Sequence, residues 1–557
     1  MEHILKKILE NVYKNTDNVF FGEYKSSIGK VLLLKIVIPT NFPYTLPNIF
    51  IENIDKHKLF IPHLEKNGLV CYITSNNVVY DMSNEKQLVL SSVKKAIETI
   101  ELGIQKNNIL DFRNEFVAFW DQQQELVPID FFANPNDEIR DIKIFYCKKK
   151  NKLIASDDGM EDTPQQLYQS ELKQTNNFEA LYVPLRTKNN ILPPNPYIGW
   201  SKKEVLNIVR SNVTQSKKIF FNKWIKKKNN KAKLIFLKIP ISENNDIIVG
   251  LWFDKNKKSI KKQVSKPKPI LVNRLDLNYL LERTSGETYF TSYEVCVIGL
   301  GSIGSKVAKE LSNLGITKMT LIDNESFEKD NLFRHELGAN SLMKDSPNYK
   351  VDNLQEELEI KNPYIEITAE SMNVLDLINR APTYFTKFDY VFICVGDTMT
   401  SLALNSFFHK SGQKVFYSWV EPLGVGGHVL YVDYNKIGCF QCLYTDPENG
   451  SIVSNRSSLV ASGQNIEKNL ASCRTSFVPY SSITSSESAI KTAQLFYKIV
   501  TKQFSESILF TWLGDDYHFK KMGFMLSKRF ACNRFPIYEK RIKNKMCDYC
   551  GEDSENI

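Results

Sequence analysis

The alternation of apolar and polar residues changes character twice along the chain, at about residues 150 and 270. In the first stretch, VLLLKIVI and NIFIE have the length and composition of strands, the turn-rich PTNFPYTLP separates them, and QLVLSSVKKAIETIELGI has helical periodicity. We therefore predict an α+β domain over residues 1–150. Apolar residues at helical spacing also predict an amphipathic first helix: Ile4, Leu5, Ile8, Leu9 and Val12.

Residues 151–270 carry the strand-like pieces FEALYVPL, KLIFLKIPI and DIIVGLWF between Pro-, Asn- and Lys-rich connections, and we interpret them as a linker domain. Lysines crowd the part from Lys217 to Pro269. They could dock an acidic partner or nucleic acid, but we favour a solvated, partly loose connector. Aromatic residues are not interleaved regularly enough for stacking on bases, so we expect no nucleic-acid partner.

From about residue 271 apolar strands alternate with helical segments, as in EVCVIGL, SIGSKVAKELSNLG, KMTLIDN, YIEITAE, FDYVFICVGD and KVFYSWV. Such alternation is typical of a parallel sheet covered on both faces. We expect an α/β domain with a Rossmann-like sheet over residues 271–557.

Length, charge and cysteine content then limit the class of protein. The chain has 557 residues, a net charge of +9 and ten cysteines, too few for a disulfide scaffold. No apolar run is long enough to span a membrane, so we expect a cytoplasmic protein without a membrane partner.

A glycine-rich turn follows the strand EVCVI and opens the next helix. Gly299, Gly301 and Gly304 have the spacing of a turn that holds a nucleotide phosphate at a helix N-terminus. Asp323 ends the following strand, nineteen residues later, where a carboxylate can bind ribose hydroxyls. NAD and ATP fit this motif equally well.

The segment after Asp323 favours ATP. Asn331, Arg334 and Lys350 cluster after the second strand, where adenylation must neutralise a triphosphate and a departing pyrophosphate, whereas hydride transfer has no such need. This pattern resembles the adenylating domain shared by ubiquitin-activating E1 enzymes and the bacterial sulfur-carrier activators of the ThiF and MoeB type.

The resemblance implies a role for each residue of the motif. Asn331, Arg334 and Lys350 would contact the phosphates of ATP, the glycines and Asp323 would hold adenosine and its phosphates, and Asp397 would serve Mg²⁺. From the residues alone, Asp397 could equally be a helix N-cap. The family usually has Asp-x-Asp at the end of the second strand, whereas the second acid here is Glu325.

Five cysteines carry the remaining chemistry of this domain. GCFQCLY and KMCDYCG form two CxxC pairs, Cys439 with Cys442 and Cys547 with Cys550; a redox pair is possible chemistry, but two pairs where the MoeB and E1-like pattern has them favour a structural Zn²⁺ site. The resemblance makes Cys473 the acyl-accepting thiol. Cys296 and Cys394 lie in apolar strands and should be core residues, while Cys147 and Cys532 carry no signal.

The first domain resembles the ubiquitin-conjugating E2 fold in its strand, Pro-rich turn, second strand, and then His63, Gly68 and Cys71 in IPHLEKNGLVCY. By that resemblance Cys71 accepts the acyl group from Cys473 and passes it to an amine. E2 enzymes have a His-Pro-Asn triplet before the cysteine, whereas Leu64 and Glu65 follow His63 here. The oxyanion donor is therefore His63, Asn76 or a backbone N–H.

The order E2-like module, linker domain and E1-like module resembles the fused E2-E1 proteins of bacterial CBASS anti-phage systems. This resemblance implies that the chain adenylates the C-terminus of a cGAS-like nucleotidyltransferase, carries it as two thioesters and ligates it to a target amine. It also implies a homodimer, in which an arginine of the partner chain reaches ATP; Arg283 is the candidate.

Three other functions remain open from the sequence. The chain could activate a ubiquitin-like or sulfur-carrier protein outside any defence system, or it could be a nucleotide-responsive scaffold whose thiols do no chemistry. An NAD oxidoreductase is the most distant alternative.

Overall fold

The computed structural model describes residues 1–54, 59–73, 80–123, 125–186, 191–242, 245–255, 259–260, 266–284, 287–469, 476–532, 536–540 and 542–551. For Asn469, Ser476 and Cys532 the structure describes the backbone alone. The chain forms two compact units, Met1–Leu280 and Leu281–Ile557. None of the helices in the described ranges is both long and apolar enough to cross a bilayer.

The first unit begins with an antiparallel four-stranded sheet in the order β1-β2-β3-β4. Long helix α2 buries one apolar face against this sheet, with Val89, Val93 and Ala96 fully buried. The elements are α1 (Glu2–Leu5), β1 (Glu10–Thr16), β2 (Val19–Lys25), β3 (Val31–Val37), β4 (Asn48–Ile51), α2 (Glu85–Ile104), α3 (Ile109–Asn114) and α4 (Phe116–Asp121).

The predicted amphipathic first helix is wrong beyond its first turn. Helix α1 ends at Leu5, and Val12 lies in β1. Leu9 and Val12 still face the core, where they pack against the bare backbone of Gly22. A strand satisfies this burial equally well, and pairing with β2 decides the outcome because tertiary context overrides weak local propensity.

An eight-stranded sheet follows, with strand order β7-β5-β12-β11-β10-β9-β6-β8 and a further pairing between β7 and β6. That pairing closes seven of the strands into a ring around an apolar core that includes Phe131, Tyr182 and Phe236. Its strands are β5 (Val127–Phe131), β6 (Arg140–Cys147), β7 (Lys152–Ser156), β8 (Leu172–Gln174), β9 (Phe178–Pro184), β10 (Ala232–Ser242), β11 (Asn245–Phe253) and β12 (Lys268–Arg274).

The helices described in this part of the chain are α5 (Asp162–Tyr168), α6 (Lys202–Asn212) and α7 (Gln215–Trp224), followed by α8 (Leu277–Glu282) at the border between the two units. The expectation of a loose lysine-rich connector is wrong for residues 217–253, because α7, β10 and β11 occupy most of this part. Phe221 and Trp224 of α7 are buried, so packing of the apolar residues between the lysines stabilises this helix. The predicted domain borders at 150 and 270 remain predictions; β5 and β6, before residue 150, belong to the larger sheet.

The second unit contains the predicted α/β sheet, in the order β15-β14-β13-β16-β17-β18-β21-β22. The strands β15, β14, β13, β16 and β17 pair in parallel with their neighbours. Strands β18, β21 and β22 then extend the sheet by antiparallel pairing. The strands of this sheet are β13 (Glu294–Ile298), β14 (Lys318–Ile322), β15 (Glu366–Glu370), β16 (Tyr390–Ile393), β17 (Lys414–Val420), β18 (Gly426–Asp433), β21 (Ile508–Leu513) and β22 (Ile537–Lys540). Two short strands, β19 (Lys468–Asn469) and β20 (Ser476–Phe477), pair separately.

Helices cover both faces of this sheet, and an apolar core lies on each face. The predicted burial of Cys296 and Cys394 is confirmed. The helices are α9 (Gly304–Asn313), α10 (Lys350–Lys361), α11 (Val374–Arg380), α12 (Thr398–Ser411), α13 (Ser482–Val500), α14 (Tyr517–Lys521) and α15 (Lys528–Cys532).

Candidate active sites

The glycine turn joins β13 to α9, and its three glycines have different surroundings. Gly299 has a φ of +82°, and a Cβ on Gly304 would overlap the carbonyl oxygen of Gly299. A Cβ on Gly301 would meet no heavy atom within 4 Å. The turn is therefore tight at Gly299 and Gly304 and open at Gly301, beside the N-terminus of α9, where a phosphate can approach the backbone.

Asp323, directly after β14, supports this turn from the neighbouring strand. Its carboxylate accepts hydrogen bonds from the backbone N–H of Leu300, at 2.6 Å, and of Glu325, at 2.8 Å. Burial raises the pKa of Asp323 above its usual value. The residue lines a cavity of about 340 Å³ together with Gly299, Asn373 and Asp397.

A larger cavity of about 600 Å³ brings the three predicted phosphate contacts together: Asn331, Arg334 and Lys350 all line it. Lys350 opens α10 with a side chain that is only 4% exposed, and it forms an ion pair with Glu325, whose side chain is 68% exposed. Glu325, the residue that departs from the family pattern, therefore balances the charge of this buried lysine.

The two cavities adjoin, because both are lined by Gly301, Glu325, Cys394, Val395 and Gly396. They lie at the carboxyl ends of β13, β14 and β16, the edge at which open parallel sheets bind ligands. Together they provide a cationic compartment and a second compartment rich in backbone and carboxylate groups.

Asp397 caps the N-terminus of α12. Its carboxylate accepts hydrogen bonds from the backbone N–H of Thr400, at 2.7 Å, and from the Thr400 hydroxyl, at 2.6 Å. These hydrogen bonds lower the pKa of Asp397, which keeps the group ionised. The N-cap alternative is thus correct, and because the residue also lines the smaller cavity, a Mg²⁺ role remains a prediction.

Aromatic side chains form the far wall of the larger cavity. Tyr417 and Phe440 stack with ring centres 4.4 Å apart, and Trp419 and Tyr444 line the same space. Val478 and Tyr480, five and seven residues after Cys473, also line it. Cys473 itself lies outside the described residues.

Lys306 is a buried cation that the sequence analysis missed. It projects from α9, is 7% exposed, and its ammonium donates to the hydroxyls of Ser482, Ser485 and Ser486 at 2.7–3.0 Å. These serines form the first turns of α13, the helix that follows the Cys473 segment. The lysine thus joins the phosphate-turn helix to α13; the serine-rich run SSITSSES was the available signal.

The four cysteines of the two CxxC pairs converge, with sulfur atoms all within 4.8 Å of one another. The sulfur of Cys439 lies 3.8 Å from that of Cys442, 3.6 Å from that of Cys547 and 3.7 Å from that of Cys550. A tetrahedral zinc site with Zn–S bonds of about 2.3 Å has sulfur separations of about 3.8 Å. These three separations and the set of four thiols fit Zn²⁺, whereas the sulfur atoms of Cys442 and Cys550, at 3.0 Å, lie closer together than in a metal-bound site.

In the first unit, Cys71 is exposed and its Sγ lies 3.7 Å from Oε1 of Glu65. Although the residue as a whole is exposed, neighbouring atoms partly desolvate its sulfur, and this desolvation together with the carboxylates of Glu65 and Glu115 raises the pKa of Cys71 to about 11. The thiol is therefore protonated at neutral pH in this structure.

His63 is held by carboxylates on both sides of its ring. Nδ1 lies 2.5 Å from Oε1 of Glu115, and Nε2 lies 3.2 Å from Oδ2 of Asp111. The hydrogen bond to Glu115 raises the pKa of His63. Both ring nitrogens are thus engaged, and Asn76, the other side-chain candidate for oxyanion donor, lies outside the described residues.

Two family models match the chain. Residues 279–507 match the ThiF family, and residues 4–128 match Prokaryotic E2 family B. These matches fall on the parallel-sheet unit and on the four-stranded sheet with its helices. They confirm the predicted fold class, a ThiF-like α/β adenylation domain preceded by an E2-like α+β domain.

Curated relatives match part of the chain. Ubiquitin-like modifier-activating enzyme 5 of Bombyx mori is 28% identical over 27% of this chain and 39% of its own length. Adenylyltransferase and sulfurtransferase UBA4 of Vanderwaltozyma polyspora is 22% identical over 49% of this chain and 55% of its own length. The chain thus spans less than two thirds of either relative, and both names agree with the predicted enzyme class.

Among solved structures, E. coli MccB with MccA-N7isoASN has a TM-score of 0.34 and 15% identity, over 49% of this chain and 70% of the other. E. coli MccB with ATP has a TM-score of 0.34 and 16% identity, over 49% of this chain and 69% of the other.

Proposed function

We propose that the protein is an ATP-dependent ligase that adenylates the C-terminus of another protein and conjugates it to an amine through two thioesters. The observation that carries this proposal is the pair of adjoining cavities, which gather Gly301, Asn331, Arg334 and Lys350 at the carboxyl end of the parallel sheet. Three polar or cationic side chains around an open phosphate turn suit a triphosphate better than a dinucleotide.

Adenosine would occupy the smaller cavity, where Asp323 can accept hydrogen bonds from the ribose hydroxyls. The triphosphate would extend past Gly301 toward Arg334 and Lys350. There the carboxylate of the acyl donor attacks the α-phosphorus, and the two cations stabilise the pyrophosphate as it leaves. Mg²⁺ would be held near Asp397, where it would neutralise phosphate charge.

The aromatic side of the larger cavity would hold the C-terminal residues of the acyl donor. Val478 and Tyr480 belong to the same segment as Cys473 and line this cavity, which supports attack by that thiol on the acyl-adenylate. The thioester on Cys473 then passes to Cys71, and an amine of the target protein takes the acyl group from Cys71.

Two assignments of partner belong to this proposal. The acyl donor is a cGAS-like nucleotidyltransferase of a CBASS anti-phage system, on the strength of the order of the domains. The enzyme acts as a homodimer, as the resemblance to E1-like enzymes implies. Arg283 remains the candidate for an arginine that reaches ATP across the dimer interface.

Zn²⁺ would be structural, held by Cys439, Cys442, Cys547 and Cys550. Four thiolates leave no open coordination position for substrate, so the ion would supply stability rather than catalysis. It would connect the C-terminal segment to the Cys439–Cys442 segment, which carries Phe440. Phe440 is part of the aromatic wall of the larger cavity.

Exchange of labelled pyrophosphate into ATP tests the adenylation step. In the presence of ATP, Mg²⁺ and a cGAS-like nucleotidyltransferase, we expect exchange by the wild type and a loss of about 100-fold or more in Lys350→Gln, because one cation of the triphosphate site is removed. Lys361→Gln, on the same helix but 46% exposed, is the matched control and should exchange normally.

The outcomes also separate the alternatives. ATP binding without exchange, with either a nucleotidyltransferase or a small ubiquitin-like protein ending in Gly-Gly, would contradict adenylation and favour the scaffold. Exchange only with the ubiquitin-like protein would support activation of such a carrier outside antiviral defence.

A further inference from the structure

A short hairpin places an acidic side chain beside Cys71. Leu64 pairs with Val70 in an antiparallel bridge, and the N–H of Gly68 donates to the carbonyl of Glu65 at 2.9 Å. Gly68 has a φ of +91°, and a Cβ there would overlap the carbonyl oxygen of Ile51. The tight turn therefore fixes where Glu65 lies relative to the cysteine that follows the hairpin.

The carboxylate of Glu65 is held at both oxygens. Oε1 accepts from Cys71 Sγ at 3.7 Å, and Oε2 accepts from Nδ2 of Asn67 at 3.2 Å. The backbone of Cys71 is fixed as well, because its N–H donates to the carbonyl oxygen of His63 at 2.8 Å. A sulfur–carboxylate contact between two anchored groups has the geometry of a proton donor with its acceptor.

Among the residues that the structure describes, the charged groups acting on Cys71 are acidic. Glu65 faces it from its own hairpin and Glu115 from the residue between α3 and α4, while His63 and Asp111 complete the charged cluster. The two close ring contacts of His63 are made with Glu115 and Asp111 and not with Cys71. These groups do not favour a thiolate, which is the nucleophilic form, so the thiol needs a proton acceptor when it reacts.

We propose that Glu65 is that proton acceptor, a catalytic residue of the transfer to Cys71; this role rests on the proposed function. The S–H bond of Cys71 breaks, its proton moves to Glu65 Oε1, and the sulfur electron pair forms the bond to the acyl carbon. The tetrahedral intermediate then expels the Cys473 thiolate, which takes the proton from Glu65.

The same carboxylate serves the second transfer. The amine nitrogen of the target attacks the acyl carbon on Cys71 and gives one proton to Glu65, and the Cys71 thiolate leaves and recovers that proton. The carboxylate thus ends each transfer ionised and ready for the next one.

A purely electrostatic role for Glu65 predicts the opposite change in the transfer rate when its carboxylate is removed. If the carboxylate only raises the pKa of Cys71, then removing its charge leaves more thiolate and speeds the transfer. If it accepts the proton, removing it slows the transfer although more thiolate is present. Glu65→Gln separates the two because it removes the charge while keeping the size of the side chain.

The test uses the full chain charged at Cys473 with ATP, Mg²⁺ and the nucleotidyltransferase donor. The single-turnover rate of transfer to Cys71 is followed from about pH 6.5 to 9 by non-reducing gels. We expect a wild-type rate that varies little with pH and a Glu65→Gln rate about 100-fold lower at pH 7, rising with pH. Glu65→Asp should recover part of the rate.

Alkylation of Cys71 by iodoacetamide supplies a readout independent of the relay. We expect Glu65→Gln to alkylate faster than the wild type at pH 7.5 while it transfers more slowly. Glu52→Gln, which removes a carboxylate paired with Lys35 in the same domain, is the control and should match the wild type in both assays.

Transfer by Glu65→Gln at the wild-type rate or faster would overturn the assignment of Glu65. If peptide mapping of the charged wild type finds the acyl group on Cys473 and never on Cys71, Cys71 accepts no acyl group, and the proposed function fails before Glu65 is tested.

Discussion

At the residue scale, the glycine turn between β13 and α9 contains glycines that look alike in the sequence but differ in their structural surroundings. Gly304 is required by the fold, because any side chain would overlap the backbone of Gly299. Gly301 faces open space, so only a ligand that approaches the backbone needs it to be a glycine. The structure thus separates a glycine that the turn itself requires from one whose surroundings leave room for the proposed nucleotide.

Two alanine substitutions test this separation. Gly301→Ala should keep the wild-type Tm within about 1 °C but weaken ATP binding by about tenfold or more, because the new methyl group occupies phosphate space. Gly304→Ala should lower Tm by several degrees, since overpacking costs about 1–3 kcal/mol. Thermal unfolding and calorimetric titration with ATP measure both effects. Wild-type ATP affinity in Gly301→Ala would contradict the placement of the triphosphate.

Several site residues were predictable because their chemistry follows a strand end by a fixed spacing. Asn331, Arg334 and Lys350 are far apart in the sequence, yet their order after a parallel strand predicts one compartment, and they line one cavity. Lys306 and Glu65 were not predictable in this way. Their partners depend on how α9 meets α13 and on a hairpin turn, although Asn67-Gly68 is a hairpin signal.

At the scale of elements, strands with continuous apolar runs were predicted well, and β13, β14 and β16 are neighbouring parallel strands as expected. The first helix was mispredicted because the pattern of residues 4–12 is compatible with burial in either a helix or a strand. The antiparallel β18, β21 and β22 were missed, since their position at the end of the sheet depends on long-range pairing.

The two CxxC segments form a cluster of four cysteines whose stability should depend on a bound metal ion. We expect the purified protein to contain one Zn²⁺ per chain. We expect Cys547→Ser to lose it with a Tm drop of about 6–12 °C, because a cost of about 3 kcal/mol shifts a unit of this size by about 2–4 °C per kcal/mol. Metal analysis and thermal unfolding provide the readouts, and Cys147→Ser, a buried cysteine outside the cluster, is the control.

Folded wild-type protein without zinc, or Cys547→Ser with unchanged zinc content, would contradict the metal assignment. A redox role for the CxxC pairs would instead appear as reversible disulfide formation in metal-free, folded protein.

At the scale of the whole molecule, one chain carries an E2-like domain, a ring of strands and an adenylation domain. The proposed reaction uses the two ends of this order: activation and the first thioester in the last domain, and transfer to the amine in the first. Domain order and fold class were predictable from motifs. The closed ring of strands was not, because it also requires β12 to pair with β5 and β9 to pair with β6, and these strands are far apart in the sequence.

The most direct test of the relay is intact-mass analysis under non-reducing conditions, after incubation with ATP, Mg²⁺ and the nucleotidyltransferase donor. Wild type, Cys71→Ala and Cys473→Ala are compared. We predict a thiol-labile adduct that stalls on Cys473 when Cys71 is absent, and no adduct on Cys71 when Cys473 is absent. The same adduct in all three proteins would contradict the two-thioester relay.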